Sequence, residues 1–257
     1  MQNLTVALVQ QEIVPNNPHH NLHVFSKAME HLNNVDLIIL PEVFTTGFCA
    51  NARNYAEQVD GAAYQWMAKQ AHKLNAVVTG SLVVKVADTH FNRLVWMRPD
   101  GSYVHYDKRH LFRMAGEHER YACGNERVLV ELKGWRILPL ICYDLRFPVW
   151  SRNCNDYDLA LYVANWPSAR ALHWNRLLQA RAIENLSYVA GVNRVGMDEK
   201  HQHYSGDSGI FGPAGEVLLQ SQETGAFVLE LFADRLKQYR ESFPAFMDAD
   251  GFELKIC

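Results

Sequence analysis

The chain has 257 residues, 48% of them hydrophobic, and a formal net charge of −3 at pH 7. That is material for one large domain, expected over residues 1–257, burying about three quarters of the surface its unfolded chain exposes. There is no basic run, no single-sign block and no stretch of about 18 apolar residues, so neither nucleic acid nor a membrane is an expected partner.

Leu4–Gln10 reads as a first strand, and Val14–His20, with Pro15 and Pro18, breaks it. Asn21–Asn33 carries apolar residues at Leu22, Phe25, Met29 and Leu32, a helical period. Asp36–Leu40 is a short apolar run, hence a buried strand, closed by Pro41 and Glu42. Gly61–Leu74 is expected as a second helix and Ala76–Val86 as a strand. Phe91–Met97 and Tyr103–Tyr106 flank the turn Pro99-Asp100-Gly101, which makes a hairpin. Asp107–Asn125, rich in Lys, Arg, His and Glu, is expected as a long ordered loop of the kind that carries function.

Val128–Leu132 and Arg136–Ile141 are strands around Lys133-Gly134, and Val149–Asn155 is expected as a short helix. Leu159–Asn165 is another buried strand, and Ala171–Asn185, without internal Gly or Pro, a strong helix. Tyr188–Asn193, Ser208–Phe211, Glu216–Gln220 and Ala226–Leu231 are the remaining strands, and the last twenty residues are polar with scattered aromatics. Early alternation of strands and helices, with hairpins later, points to an α/β fold of two packed sheets with helices outside.

The five cysteines, Cys49, Cys123, Cys142, Cys154 and Cys257, are odd in number and form no C-x-x-C pair, so neither a disulfide framework nor a zinc site is expected. Met1–Ser26 holds no Lys or Arg, so no secretory signal is expected, and a reducing cytoplasm fits. His201 and His203 lie in a polar stretch without a matching Cys or carboxylate cluster, which reads as a solvated loop rather than a metal site. No cofactor is expected.

Three ionisable groups stand at strand ends: Glu42, Lys108 and Cys142. Strand ends are where α/β folds collect catalytic groups. Cys142 follows the apolar run Ile137–Ile141, and the chain turns polar immediately after it. A rigid strand followed by a turn presents a nucleophile and frees backbone N–H groups for an oxyanion. A thiol must become thiolate to attack, so a carboxylate desolvated by strand ends can serve as base and a fixed lysine can stabilise the oxyanion. The residues alone leave bland readings open: a core thiol at Cys142, a solvated turn carboxylate at Glu42 and a surface lysine at Lys108. No Gly-x-Ser-x-Gly and no glycine-rich phosphate loop is present.

Three stretches carry a resemblance: Asp36-Leu-Ile-Ile-Leu-Pro-Glu42-Val-Phe-Thr-Thr-Gly47, Tyr106-Asp-Lys108-Arg-His-Leu-Phe112 and Ile141-Cys142-Tyr-Asp-Leu-Arg-Phe-Pro148. In order and spacing they resemble the signatures of the carbon–nitrogen hydrolase (nitrilase) superfamily. Asn165-Trp166-Pro167 and Ala180-Arg-Ala-Ile-Glu-Asn185 match further family features, and the resemblance covers about residues 4 to 232. It implies a four-layer α-β-β-α sandwich, assembled as a homodimer, with Glu42 as general base, Lys108 as oxyanion stabiliser and Cys142 as nucleophile. The backbone N–H of Tyr143 is then the second oxyanion donor. A fourth family carboxylate falls on Glu117, with Glu119 the competing position.

Within the superfamily the chain is most similar to the omega-amidase branch, which implies hydrolysis of the terminal amide of 2-oxoglutaramate or 2-oxosuccinamate. Such a substrate is an anion, and its pocket needs a cation or several N–H donors. Arg113, Arg146 and Arg170 are the candidates, with Phe112, Asn165 and Trp166 shaping the walls, while Arg146 is also open to simple pairing with Asp144 or a neighbour. The alternatives are a broader aliphatic amidase, a nitrilase or an N-carbamoyl hydrolase with the same triad. Outside that chemistry stand a silent binding protein on this fold and a thiol redox sensor pairing Cys142 with Cys154.

Overall fold

The computed structural model describes residues 1–254, and Cys257 lies outside the described residues. In chain order the elements are β1 (Leu4–Gln10), α1 (Pro18–Ala28), β2 (Leu37–Ile39), β3 (Glu57–Gln58), α2 (Ala62–Leu74), β4 (Val77–Val86), β5 (Thr89–Met97) and β6 (Tyr103–Asp107). There follow α3 (Glu117–Arg120), β7 (Val130–Leu132), β8 (Trp135–Ile141), β9 (Leu159–Val163), α4 (Ala171–Asn185), β10 (Tyr188–Val192), β11 (Val195–Met197) and β12 (His203–Ser205). The chain closes with β13 (Ser208–Phe211), β14 (Val217–Ser221), β15 (Gly225–Leu231) and α5 (Ala233–Ser242).

One sheet runs β15-β1-β2-β4-β5-β6, with β3 alongside β4; the other runs β14-β13-β10-β9-β8-β7. Each has a parallel centre, β1-β2-β4 in the first and β8-β9-β10 in the second, with antiparallel strands outside. The two-residue period of a strand decides which side chains meet which layer. Leu4, Val6, Leu8, Leu37 and Ile39 join the apolar cluster shared with β8, β9 and β10 and with Trp174 and Leu178 of α4. Their neighbours Ala7, Val9, Ile38 and Leu40 point the other way, into a cluster with Phe25 of α1 and Tyr64, Met67 and Ala71 of α2. The layers are therefore helix, sheet, sheet, helix, as the resemblance implies. Each fully buried Leu, Ile or Val in them contributes about 1.5–3 kcal/mol. No helix among the described residues is long and apolar enough to cross a membrane.

Four expectations are corrected. First, α1 begins at Pro18, inside the stretch read as a break: Asn17 caps the helix by accepting from the His20 N–H, and Pro18 sits at the first turn, where its missing N–H costs nothing. Second, Val149–Asn155 is not helical. Asn153 Oδ1 accepts from the Asp156 and Tyr157 N–H groups, so side-chain turns replace helical bonds there. Third, α5 was not foreseen, because a helix that buries only Ala233 and Leu236 has no apolar stripe to read. Fourth, the polar stretch around His201 and His203 is the tip of a hairpin, β11 paired with β12.

Candidate active site

Glu42 directly follows β2 and Pro41, and the segment carrying it lies across β4. Val43 N–H donates to Ser81 Oγ at 2.8 Å and Leu40 N–H to the Thr79 carbonyl at 2.7 Å. Gly80 permits this approach: a Cβ there would stand 2.8 Å from Leu40 Cβ and 3.1 Å from the Phe44 ring. Lys108 follows β6, and Cys142 follows β8. The packing of the two sheets brings these three strand ends together, so all three groups are buried.

Lys108 Nζ donates to Glu42 Oε1 at 2.8 Å and to both oxygens of Glu117 at 3.0 Å. Asn92, inside β5, donates to Glu42 Oε1 at 2.8 Å and Glu117 Oε1 at 3.3 Å. The Asn165 N–H, just past β9, donates to Glu42 Oε2 at 2.8 Å, and its side-chain amide holds the Glu42 carbonyl. The Phe112 N–H reaches Glu117 Oε2 at 2.6 Å. Two carboxylates thus share one ammonium and are fixed by amide donors.

Cys142 opens a 3-10 turn, Cys142–Arg146, with φ at +43°, a left-handed conformation that strains an L residue. The N–H of Tyr143 lies at the start of that turn, where helical geometry supplies no carbonyl partner. Burial, then the Glu42 charge, push the Cys142 thiol well above the ordinary thiol range, although Lys108 pulls the other way. Burial also opposes the Lys108 charge, but Glu117 and Glu42 outweigh it and hold the ammonium well above the usual lysine range. Both directions favour a protonated thiol beside a charged lysine, and a thiol in that state has to give up its proton to act as a nucleophile.

Above this floor lies a cavity of about 420 Å³. Phe112, Tyr143, Arg146, Asn165, Trp166 and Arg170 all line it. Arg146 does not pair with Asp144. Its guanidinium lies 4.8 Å from the Trp166 ring centre and 3.0 Å from His173 Nδ1. Arg170 lies 5.6 Å from the centre of Phe112. Arg113 is a correction: it is exposed and lies outside the cavity wall. Of the two candidate carboxylates, Glu117 is fully buried against Lys108, while the Glu119 side chain is 74% exposed. Cys142 and Cys154 are both free thiols, one buried and one exposed.

Sequence reasoning missed several neighbours. Asn92 was legible in principle, since an asparagine inside an apolar strand is out of place unless bonded. Cys49, Arg120 and the hairpin tip Asp198–Gln202 also line the cavity, and no local pattern marks them. Burial pushes the Cys49 thiol up to about 11, and it donates to Asn16 Oδ1 at 2.9 Å. Among the described residues no group of three His, Cys, Asp or Glu could hold a metal ion.

Comparison with known proteins places these residues in context. Residues 5–240 match the carbon-nitrogen hydrolase family. The chain is 50% identical over 256 residues to the omega-amidase YafV of Escherichia coli K12, covering 99% of this chain and 100% of that protein. It is 33% identical over 251 residues to the 2-oxoglutaramate amidase of Bacillus subtilis, covering 95% and 96% of the two chains. Among solved structures, a CN-hydrolase superfamily protein of Xanthomonas campestris with an arsenic adduct in its active site is 45% identical. It superposes with a TM-score of 0.97 over 99% of this chain and 100% of that one.

Proposed function

The chain belongs to the carbon–nitrogen hydrolase family, and on that premise we propose that it is an omega-amidase, an enzyme hydrolysing the terminal amide of 2-oxoglutaramate or 2-oxosuccinamate to ammonia and the 2-oxo diacid. The observation that carries this reading is the pairing within one cavity of a buried Glu42–Lys108–Glu117 cluster beside Cys142 with two arginines, Arg146 and Arg170, that have no carboxylate partner among the described residues.

Each step uses a group already in place. The Cys142 sulfur attacks the amide carbon while Glu42 takes the thiol proton. The oxyanion faces the Lys108 ammonium and the Tyr143 N–H. Glu42 passes the proton to the departing nitrogen, ammonia leaves and a thioester remains. Water then attacks with Glu42 as base, a second oxyanion forms and collapses, and Cys142 regains its proton. Glu117 holds Lys108 in line and, through Asn92, shares the hydrogen-bond frame of Glu42. The carboxylate at the far end of the substrate pairs with Arg146 or Arg170. The cavity is a reasonable size for such a ligand, since small-molecule sites run from about 300 to 1,000 Å³.

The same reading makes the working form a cytoplasmic homodimer. The exposed apolar side chains Val149, Leu172 and Ile183 support pairing, and the exposed free thiols Cys123 and Cys154 suit a reducing compartment.

Steady-state kinetics with 2-oxoglutaramate, 2-oxosuccinamate, glutamine and a simple aliphatic amide test the substrate. A charge-assisted pair contributes about 1.5–3 kcal/mol, so the uncharged amide should be poorer by roughly 10- to 150-fold in kcat/KM. Glutamine, whose ammonium meets the same cationic wall, should also be poorer than 2-oxoglutaramate. Equal kcat/KM for all four makes the protein a broad aliphatic amidase.

A further inference from the structure

We infer that Asp144 is a positioning residue that locks the turn carrying Cys142 to the strand end carrying Lys108. The inference rests on the reading of Cys142 and Lys108 as reacting groups. Asp144 is fully buried, yet among the described residues it forms no bond with an arginine or a lysine. Its carboxylate accepts four hydrogen bonds from two separate segments. From its own strand end comes the Ile141 N–H, at 3.0 Å to Oδ2. From the other side come Tyr106 Oη at 2.8 Å to Oδ2, and the His110 N–H and ring Nδ1 at 2.9 and 2.8 Å to Oδ1. A carboxylate only accepts, so the imidazole presents Nδ1–H to it.

The sequence positions give this arrangement its meaning. Tyr106 and His110 stand two residues before and after Lys108, and Asp144 stands two residues after Cys142. One carboxylate therefore spans the gap between the two segments whose side chains must meet at the oxyanion. The clamp is itself held: Tyr106 Oη accepts from Trp150 Nε1 at 3.0 Å and from the Arg109 N–H at 3.3 Å, and the His110 ring stacks on Phe147 at 3.9 Å. Its other task is the left-handed Cys142. Strain of this kind persists only where the surroundings over-determine the backbone. Asp144 supplies that from within the turn, by holding the N–H of Ile141, the residue before the strained one.

Asp144→Asn is the sharpest test, because an amide keeps the shape but turns two of its own N–H donors toward donors. Assayed at a temperature where the variant is folded, kcat should fall about 30-fold with KM within about threefold of wild type, the split expected when an interaction is lost only at the transition state. Alkylation of Cys142 by iodoacetamide should slow with it. Asp158→Asn provides the contrast. Asp158 is a buried carboxylate of a different cluster, held by Arg136 and Arg240, and its loss should lower Tm while leaving kcat unchanged. If Asp144→Asn behaves like Asp158→Asn, with kcat within twofold, or if its loss lies in KM, the clamp is overturned. Should Asp144→Asn fail to fold, Tyr106→Phe decides, with a fall of about tenfold in kcat expected and an unchanged kcat overturning the inference. Cys142→Ala in the same assay separates the two levels: an active Cys142→Ala defeats the underlying mechanism, whereas an inactive one beside a fully active Asp144→Asn defeats only the clamp.

Discussion

At the floor of the cavity Lys108 lies 2.8 Å from Glu42 and 3.0 Å from Glu117, and Asn92, Asn165 and the Phe112 N–H fill the remaining carboxylate positions. On the outer wall Arg146 and Arg170 rest against the rings of Trp166 and Phe112 and form no ion pair among the described residues. The floor sets one ammonium between two carboxylates and is already ion-paired without a ligand, while the wall carries two arginines with no carboxylate partner among the described residues. In the proposed mechanism the floor's ammonium is already fixed where the oxyanion would form, so no reorganisation is required when that charge develops. In the same proposal the wall selects among substrates by their own charge. The proposed function therefore puts chemistry and selection in different parts of one cavity, and each should be open to disturbance with the other left standing.

The largest effect expected is at the floor. Cys142→Ala should lower kcat by at least about 10³-fold, as loss of a nucleophile does, with an unchanged circular dichroism spectrum. A variant retaining activity would show that the floor is not where the reaction happens. Lys108→Met comes next: kcat should drop about 10²- to 10³-fold with a smaller change in KM. Because two buried carboxylates then lose their counter-charge, stability should also fall, by about 3–5 kcal/mol in denaturant titration. A change confined to KM would move Lys108 from the floor's role to the wall's.

The wall is broken by Arg146→Leu and Arg170→Leu, compared singly. The arginine that takes the substrate carboxylate should cost roughly 10- to 150-fold in kcat/KM for 2-oxoglutaramate and little for an uncharged amide. If both amides suffer equally in both variants, the wall does not read charge. The pH dependence of thiol alkylation sharpens the contrast further. Burial and Glu42 raise the Cys142 thiol above its ordinary range, so the thiolate is scarce at neutral pH and its reaction with iodoacetamide should climb with pH through 9 without levelling near 7. A plateau below pH 8 would contradict the protonated resting thiol.

The smallest effect is expected away from both regions. Burial tends to raise the Asp158 carboxyl, but Arg136 and Arg240 outweigh it and hold it below its usual value. A depressed folded-state carboxyl stabilises above its unfolded pKa, and that contribution is lost as pH falls through the folded value. Wild type should therefore lose more Tm between about pH 5 and 2 than Asp158→Asn does, with activity at neutral pH the same in both.

What was legible in the sequence is what depends on near neighbours. Leu37–Ile39, Ile137–Ile141 and Leu159–Val163 are apolar runs that have to be buried strands, so Glu42, Lys108 and Cys142 could be read as strand-end groups, while the roles expected of them came from the three family-like stretches around them. The layered fold follows from the same alternation, since Leu4, Val6 and Leu8 must face a different layer from Ala7 and Val9. What only the tertiary structure decided are contacts across long stretches of chain. Glu117 and Glu119 stand two positions apart in α3, and only the packing of that short helix against Lys108 and against Asn92, 25 positions away, buries the first and leaves the second in water. Arg113 and Arg146 look alike as cations near a motif, yet the fold turns one outward and lays the other over Trp166. Asn165 meets Glu42 across 123 positions and Asp144 meets Tyr106 across 38. No local pattern encodes such pairs, because hydrogen-bond partners of buried polar groups are chosen by how two sheets pack rather than by the residues beside them.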